Sequence, residues 1–291
     1  MIRVKTLTKH YNQTLAVDRL SLEIPDGAVF GLLGPNGAGK TTFLRLIMGF
    51  VFPDAGQLDL GGLSPARIGY LPERAFYPSR FTAREYLGTL GRLASLKGEV
   101  LQQAVDRLLM QVNLDKVAGQ RLSSCSRGML QRLGLAQALL GDPPLLLLDE
   151  PGSALDPSGQ KFMREQIVTL NQAGKTVVLS SHHLDEVSRV CTHIAVLSQG
   201  RLVRTGPLET ILAPRAQVTI VTGPLPYDVL SDLAGSSSDI VATDGQIVLS
   251  GSAVSRKAEV LYLLLDRGVD ILQLSERHAT LEEIYLEATG E

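Results

Sequence analysis

Val29-Phe30-Gly31-Leu32-Leu33-Gly34-Pro35-Asn36-Gly37-Ala38-Gly39-Lys40-Thr41-Thr42-Phe43-Leu44-Arg45-Leu46-Ile47-Met48 reads as an apolar strand, a glycine-rich turn and an amphipathic helix in direct succession. The turn, Gly34 to Thr41, matches GxxxxGK[ST] in the setting that this motif requires, with a strand before it and a helix after it. Glycines let several backbone N–H groups converge on phosphate oxygens, and the helix that follows presents the positive end of its dipole to them. Lys40 is placed to reach the outer phosphates, and the Thr41 hydroxyl to ligate Mg²⁺. The stretch therefore predicts an open α/β sheet with a phosphate site at its strand ends.

Two further strand ends point to the same place. The run at 145–148 is four leucines followed by Asp149 and Glu150, and a strand apolar on both faces belongs inside a helix-covered parallel sheet. Asp149 is suited to hold Mg²⁺ through water, and Glu150 to polarise a water for attack on a γ-phosphate. The apolar run at 176–179 leads into Ser180-Ser181-His182-His183. An imidazole at that edge can exchange a hydrogen bond near the γ-phosphate, and periodicity does not separate His182 from His183.

Composition excludes other classes. With 28 Lys and Arg against 30 Asp and Glu in 291 residues, the net charge is −2, so a nucleic-acid partner is not expected. Two distant cysteines, Cys125 and Cys191, make neither a disulfide framework nor a metal cage and read as reduced, mostly buried small hydrophobes. No apolar run approaches the ~20 residues of a membrane-spanning helix, and the N-terminus lacks the apolar block of a signal peptide. If the protein serves a membrane, another chain does the crossing.

Strands at 21–24, 28–33, 145–148, 176–180 and 194–198 alternate with helical stretches, which predicts a largely parallel sheet. Helical patterns at 82–94, 99–112 and 126–140 interrupt that rhythm and form an all-helical insert at about 74–140. A boundary is expected near 207–215, giving domains at 1–215 and 216–291. In the second, a strand at 218–222, a helix at 227–234, two strands flanking Asp244-Gly245, a helix at 254–267 closed by Gly268 and a strand at 271–274 give a β-α-β-β-α-β order. That order is ferredoxin-like, with a last helix at 281–288, and competes with a linker carrying loose hairpins.

The motifs, in their order, resemble the ATP-binding subunit of an ABC transporter over 1–215. Tyr11 matches the aromatic that stacks on adenine, Gly34 to Thr42 the Walker A loop, 145–150 Walker B with Glu150 as its catalytic glutamate, 153–156 the D-loop ending at Asp156, and His182 the switch histidine. The signature, usually LSGGQ, aligns with Cys125-Ser126-Arg127-Gly128-Met129, where Ser126 and the Gly128 amide are donors at a helix start.

The resemblance implies a P-loop NTPase core with a helical insert, and ATP and Mg²⁺ as ligands. Lys40, Glu150 and His182 would be catalytic, and Thr41, Asp149 and Glu73 would lie around the metal. Pro35, Asn36, Gly37, Ala38, Gly39 and Thr42 complete the nucleotide cradle. It also implies a homodimer or heterodimer sandwiching ATP, with integral membrane permease subunits as partners at the cytoplasmic face of the plasma membrane. Glu73 stands where the family places Gln, and Arg127 and Met129 where it places Gly and Gln. These departures, with 280–286 near the end, are similar to a subgroup serving ABC-2-type exporters. Phe76, Tyr77 and Phe81 suit either a partner's coupling helix or the subunit's own core. A soluble ABC ATPase acting on a ribosomal or DNA partner is the alternative, and a nucleotide-binding module without turnover is a third class.

Overall fold

The structure, a computed structural model, describes residues 1–153, 155–212, 217–277 and 280–289, the side chains of 234–236 and 287–289 aside. In chain order the first elements are β1 (Ile2–Tyr11), β2 (Thr14–Ile24), β3 (Val29–Leu33), α1 (Lys40–Ile47), β4 (Ala55–Asp59) and β5 (Ile68–Leu71). The helices α2 (Ala83–Leu93), α3 (Gly98–Gln111) and α4 (Arg127–Ala138) follow. Then come β6 (Leu145–Asp149), α5 (Pro157–Gln172), β7 (Thr176–Ser181), α6 (Leu184–Val190), β8 (His193–Ser198) and β9 (Arg201–Pro207).

A six-stranded sheet runs β5-β6-β7-β3-β8-β9, and its first five strands pair in parallel. β3, β6 and β7 are buried at every residue, as strands covered on both faces must be. Because β6, β7 and β3 are neighbours, the chain leaves their carboxyl ends side by side, with Asp149 level with Ser180 and Leu33 level with Ser181. The parallel sheet and the three-helix insert are as expected. The antiparallel sheet β2-β1-β4 is not anticipated by the strand pattern. In β1 the in–out alternation breaks between Val4 and Leu7, where Thr6 takes φ 48° and the register with β2 shifts; such a bulge hides a strand from a period-two search.

Helix starts are chemically marked. Thr82 and Glu85 cap α2 reciprocally, Thr82 Oγ1 accepting from the Glu85 amide at 3.2 Å and Glu85 Oε2 from the Thr82 amide at 2.9 Å. Ser126 caps α4 by accepting from the Met129 amide at 3.2 Å, so the helix begins one residue later than the expected start.

The chain divides into units Met1–Thr205 and Gly206–Glu291. The boundary expected after Arg215 falls in 213–216, outside the described residues. The second unit contains α7 (Leu208–Leu212), β10 (Gln217–Thr222), α8 (Tyr227–Ser236), β11 (Ile240–Thr243), β12 (Gln246–Ser250), α9 (Lys257–Asp266), β13 (Ile271–Arg277) and α10 (Leu281–Thr289). Its sheet order is β11-β12-β10-β13 with every pair antiparallel, the ferredoxin-like arrangement. Val218, Ile220, Val229, Ile247, Leu249, Val260 and Leu264 share one buried core, which rules out loose hairpins. The helix expected from Val254 starts only at Lys257, because Gly251–Arg256 forms a 3₁₀ turn. Asp239 Oδ2 holds that turn, accepting from the Ser252 amide at 3.1 Å and its hydroxyl at 2.7 Å.

Candidate functional site

Between β3 and α1 the backbone turns through Gly34 to Gly39, and its conformation leaves no choice of residue at two points. Gly39 precedes α1 with φ 100°, and a Cβ there would lie 2.4 Å from the Ala16 carbonyl oxygen. Gly34 has φ 156°, and its Cβ would lie 2.3 Å from the Leu197 carbonyl oxygen. The glycines thus serve a backbone wedged between β2 and β8 as well as the loop's own curvature.

A cleft of about 560 Å³ opens over this loop, lined by Pro35, Asn36, Gly37, Ala38, Gly39, Lys40, Thr41, Thr42, Glu73, Glu150 and His182 among the expected site residues. Ser153, the first residue of the expected D-loop, also lines it, as do Thr14, Ala16 and Arg74, which carry no motif and which the sequence did not single out. The Lys40 side chain is 6% exposed, and its Nζ meets three acceptors, the Gly34 carbonyl at 2.6 Å, the Pro35 carbonyl at 3.3 Å and Glu150 Oε1 at 3.5 Å. A buried ammonium must be so matched. An ammonium at this position can exchange those acceptors for phosphate oxygens.

Glu150 sits one residue past β6 with φ 48°, a left-handed conformation that is costly for a residue with a Cβ. The surroundings hold it there: Ser180 Oγ accepts from its amide at 2.8 Å, and Ser153 Oγ donates to its carbonyl at 3.1 Å. Glu150 Oε2 lies 2.9 Å from His182 Nδ1. The geometry resolves the two histidines, because His182 faces the cleft while His183 precedes α6 and gives its amide to Ser181 Oγ at 2.9 Å.

Asp149 is buried beside the loop. Its Oδ1 accepts from Ser180 Oγ at 2.6 Å and Thr41 Oγ1 at 3.2 Å, whereas buried Oδ2 has no hydrogen-bond partner among the described residues. An orphaned carboxylate oxygen next to a threonine hydroxyl fits a hydrated divalent cation of hard-oxygen preference. Burial, reinforced by the Asp149 charge, pushes the neighbouring Tyr70 hydroxyl up to about 12. Glu73 stands at the cleft wall, 3.6 Å from Arg74 Nε.

The remaining expected residues lie apart from this wall. Tyr11 is opposite Thr14 across the β1–β2 hairpin. Ser126 and Gly128, at the start of α4, and Asp156, whose Oδ1 caps α5 through the Gly159 amide at 2.8 Å, do not line the cleft. Ala154 of the expected D-loop lies outside the described residues. Of the three aromatics after Glu73, Phe76 is 90% exposed. Tyr77 turns inward, its hydroxyl buried against α4.

The ABC transporter family profile matches residues 17–153. The Nod factor export ATP-binding protein I of Sinorhizobium fredii (strain NBRC 101917 / NGR234) is 34% identical, over 99% of this chain and 86% of that protein. That of Paraburkholderia xenovorans (strain LB400) is 33% identical, over 99% of this chain and 97% of that protein. The chain belongs to the family of ABC transporter ATP-binding subunits. Among solved structures, a dimeric post-hydrolysis ATP-binding cassette bound to ADP and Pi superposes with a TM-score of 0.66 at 25% identity, covering 72% of this chain and 99% of that one. As an ABC transporter ATP-binding subunit, the chain binds and hydrolyses ATP, and subunits of this kind work as dimers with membrane components. Among the described residues no helix is long and apolar enough to cross a membrane.

Proposed function

We propose that this ABC subunit is the motor of an ABC-2-type exporter, held at the cytoplasmic face of the plasma membrane by integral permease subunits. Its similarity along nearly the whole chain to proteins named as export ATP-binding subunits supports this reading over a soluble ribosomal or DNA-linked ATPase. The observation that carries the mechanism is Glu150 held between Lys40 and His182, at 3.5 and 2.9 Å, at the mouth of the glycine loop.

In this reading the loop amides and Lys40 bind the phosphates, and Tyr11 stacks on the base. Thr41, Asp149 and Glu73 are the residues that hold Mg²⁺, which when bound draws charge from the γ-phosphate. Glu150 Oε1 takes the proton of the attacking water, while His182 keeps the carboxylate oriented through Oε2. Ser126 and the Gly128 amide of one copy complete the site of its twin, and Asp156 lies in the loop between the copies. Closure on ATP and release after hydrolysis move the permease. The exposed Phe76 and the cleft of about 320 Å³ between α2 and α3, floored by Leu101 and Val105, are its docking surface.

Glu150→Gln tests the assignment. The variant is expected to bind ATP, lose hydrolysis by about 10²-fold or more, and accumulate an ATP-bound dimer in size-exclusion chromatography. Normal turnover would move the base elsewhere.

A further inference from the structure

Lys9 and Tyr11 are two apart on β1, where the register with β2 shifts between Lys9 and His10, and their side chains meet. Lys9 Nζ lies over the Tyr11 ring, 5.8 Å from its centroid. The same ammonium donates to Asp54 Oδ1 at 2.9 Å. Asp54 is itself anchored: its Oδ2 accepts from the His10 amide at 2.6 Å, and its own amide donates to the Thr8 carbonyl at 2.9 Å. The Lys9 side chain is 16% exposed, against 39% for Tyr11. A long, flexible cation is thus fixed under one face of an aromatic ring.

A cation on one face holds the ring's rotamer and draws on its π electrons, which suits the opposite face to an electron-rich base. Tyr11 is paired across the hairpin with Thr14, which lines the phosphate cleft. We propose that Lys9, fixed by Asp54, is a positioning residue for base recognition, holding the Tyr11 ring as a stacking platform for the nucleotide base. The inference rests on the reading of Tyr11 as the base-stacking residue, and the test separates the two.

Titration calorimetry on the full chain compares MgATP with magnesium tripolyphosphate, which carries the phosphates and no base. Lys9→Met and Asp54→Asn are expected to weaken MgATP about two- to fivefold, leave tripolyphosphate unchanged, and be matched by near-native binding in Lys9→Arg. Tyr11→Ala is expected to weaken MgATP alone. If Lys9→Met weakens both ligands equally, or neither, while Tyr11→Ala weakens MgATP, the brace is overturned and the platform stands. If Tyr11→Ala leaves MgATP binding intact, the platform itself is overturned and the brace falls with it.

Discussion

Asp54 and Glu150 illustrate at the residue scale how a carboxylate's surroundings decide what it does. Asp54 is a surface acid whose hydrogen bond from Lys9, followed by that from the His10 amide, lowers its carboxyl from 3.8 to about 2. A carboxyl depressed by folding stabilises the native state above its unfolded value and loses that contribution as pH falls through its folded value. Asp54→Asn is therefore expected to melt lower than the natural protein at about pH 5, with the difference shrinking as pH falls and reaching zero only below about pH 2. Thermal unfolding followed by circular dichroism across that range checks the sign; a gap that widens on acidification would exclude it. Glu150 was legible as a strand-end carboxylate, but its left-handed backbone was not. That conformation depends on Ser180 and Ser153, and Ser180 reaches it from another strand.

At the scale of elements, the contact between α4 and the segment after β5 shows why a glycine sits inside a helix. A Cβ on Gly134 would lie 2.5 Å from Leu71 Cδ1 and 2.6 Å from the Tyr77 hydroxyl oxygen. The Tyr77 ring meets Tyr86 of α2 edge-on at 5.4 Å, and Tyr86 donates to Gln137 Oε1 of α4 at 2.7 Å. Gly134→Ala gains helix propensity yet is expected to destabilise by about 1–3 kcal/mol through overpacking. The Tyr77 hydroxyl is buried without a hydrogen-bond partner among the described residues, so Tyr77→Phe is expected to raise stability by about 1 kcal/mol. Urea unfolding of both variants tests this contact; a Gly134→Ala protein as stable as the natural one would mean that Leu71 and Tyr77 move away from α4 freely. α4 was readable because Ser126 caps it and Leu133 and Ala136 recur at helical spacing and are buried. β4 was not, because Ala55–Asp59 is almost wholly exposed and offers no apolar alternation.

For the whole molecule, the proposed sandwich makes each ATP site from Lys40 of one chain and Ser126 of the other. Lys40→Ala and Ser126→Arg proteins are each expected to hydrolyse little ATP alone. Mixed at equal concentration, they form heterodimers in which one site carries both defects and the other is intact, so part of the activity returns. Mixing without recovery, where heterodimers are detected by differential tags, would place both residues in one site. The sequence by itself determined the phosphate loop, the strand-end acids and the strand order of the second unit. Each rests on local spacing, on alternation or on turn chemistry that adjacent residues impose. Only the tertiary structure decided that His182 rather than His183 meets Glu150, that Lys40 reaches the same carboxylate, and that Lys9 is pinned under Tyr11 by Asp54. Those contacts join residues 32, 110 and 45 positions apart, and such distances close only when the β6-β7-β3 order and a bulged antiparallel sheet bring the strands together.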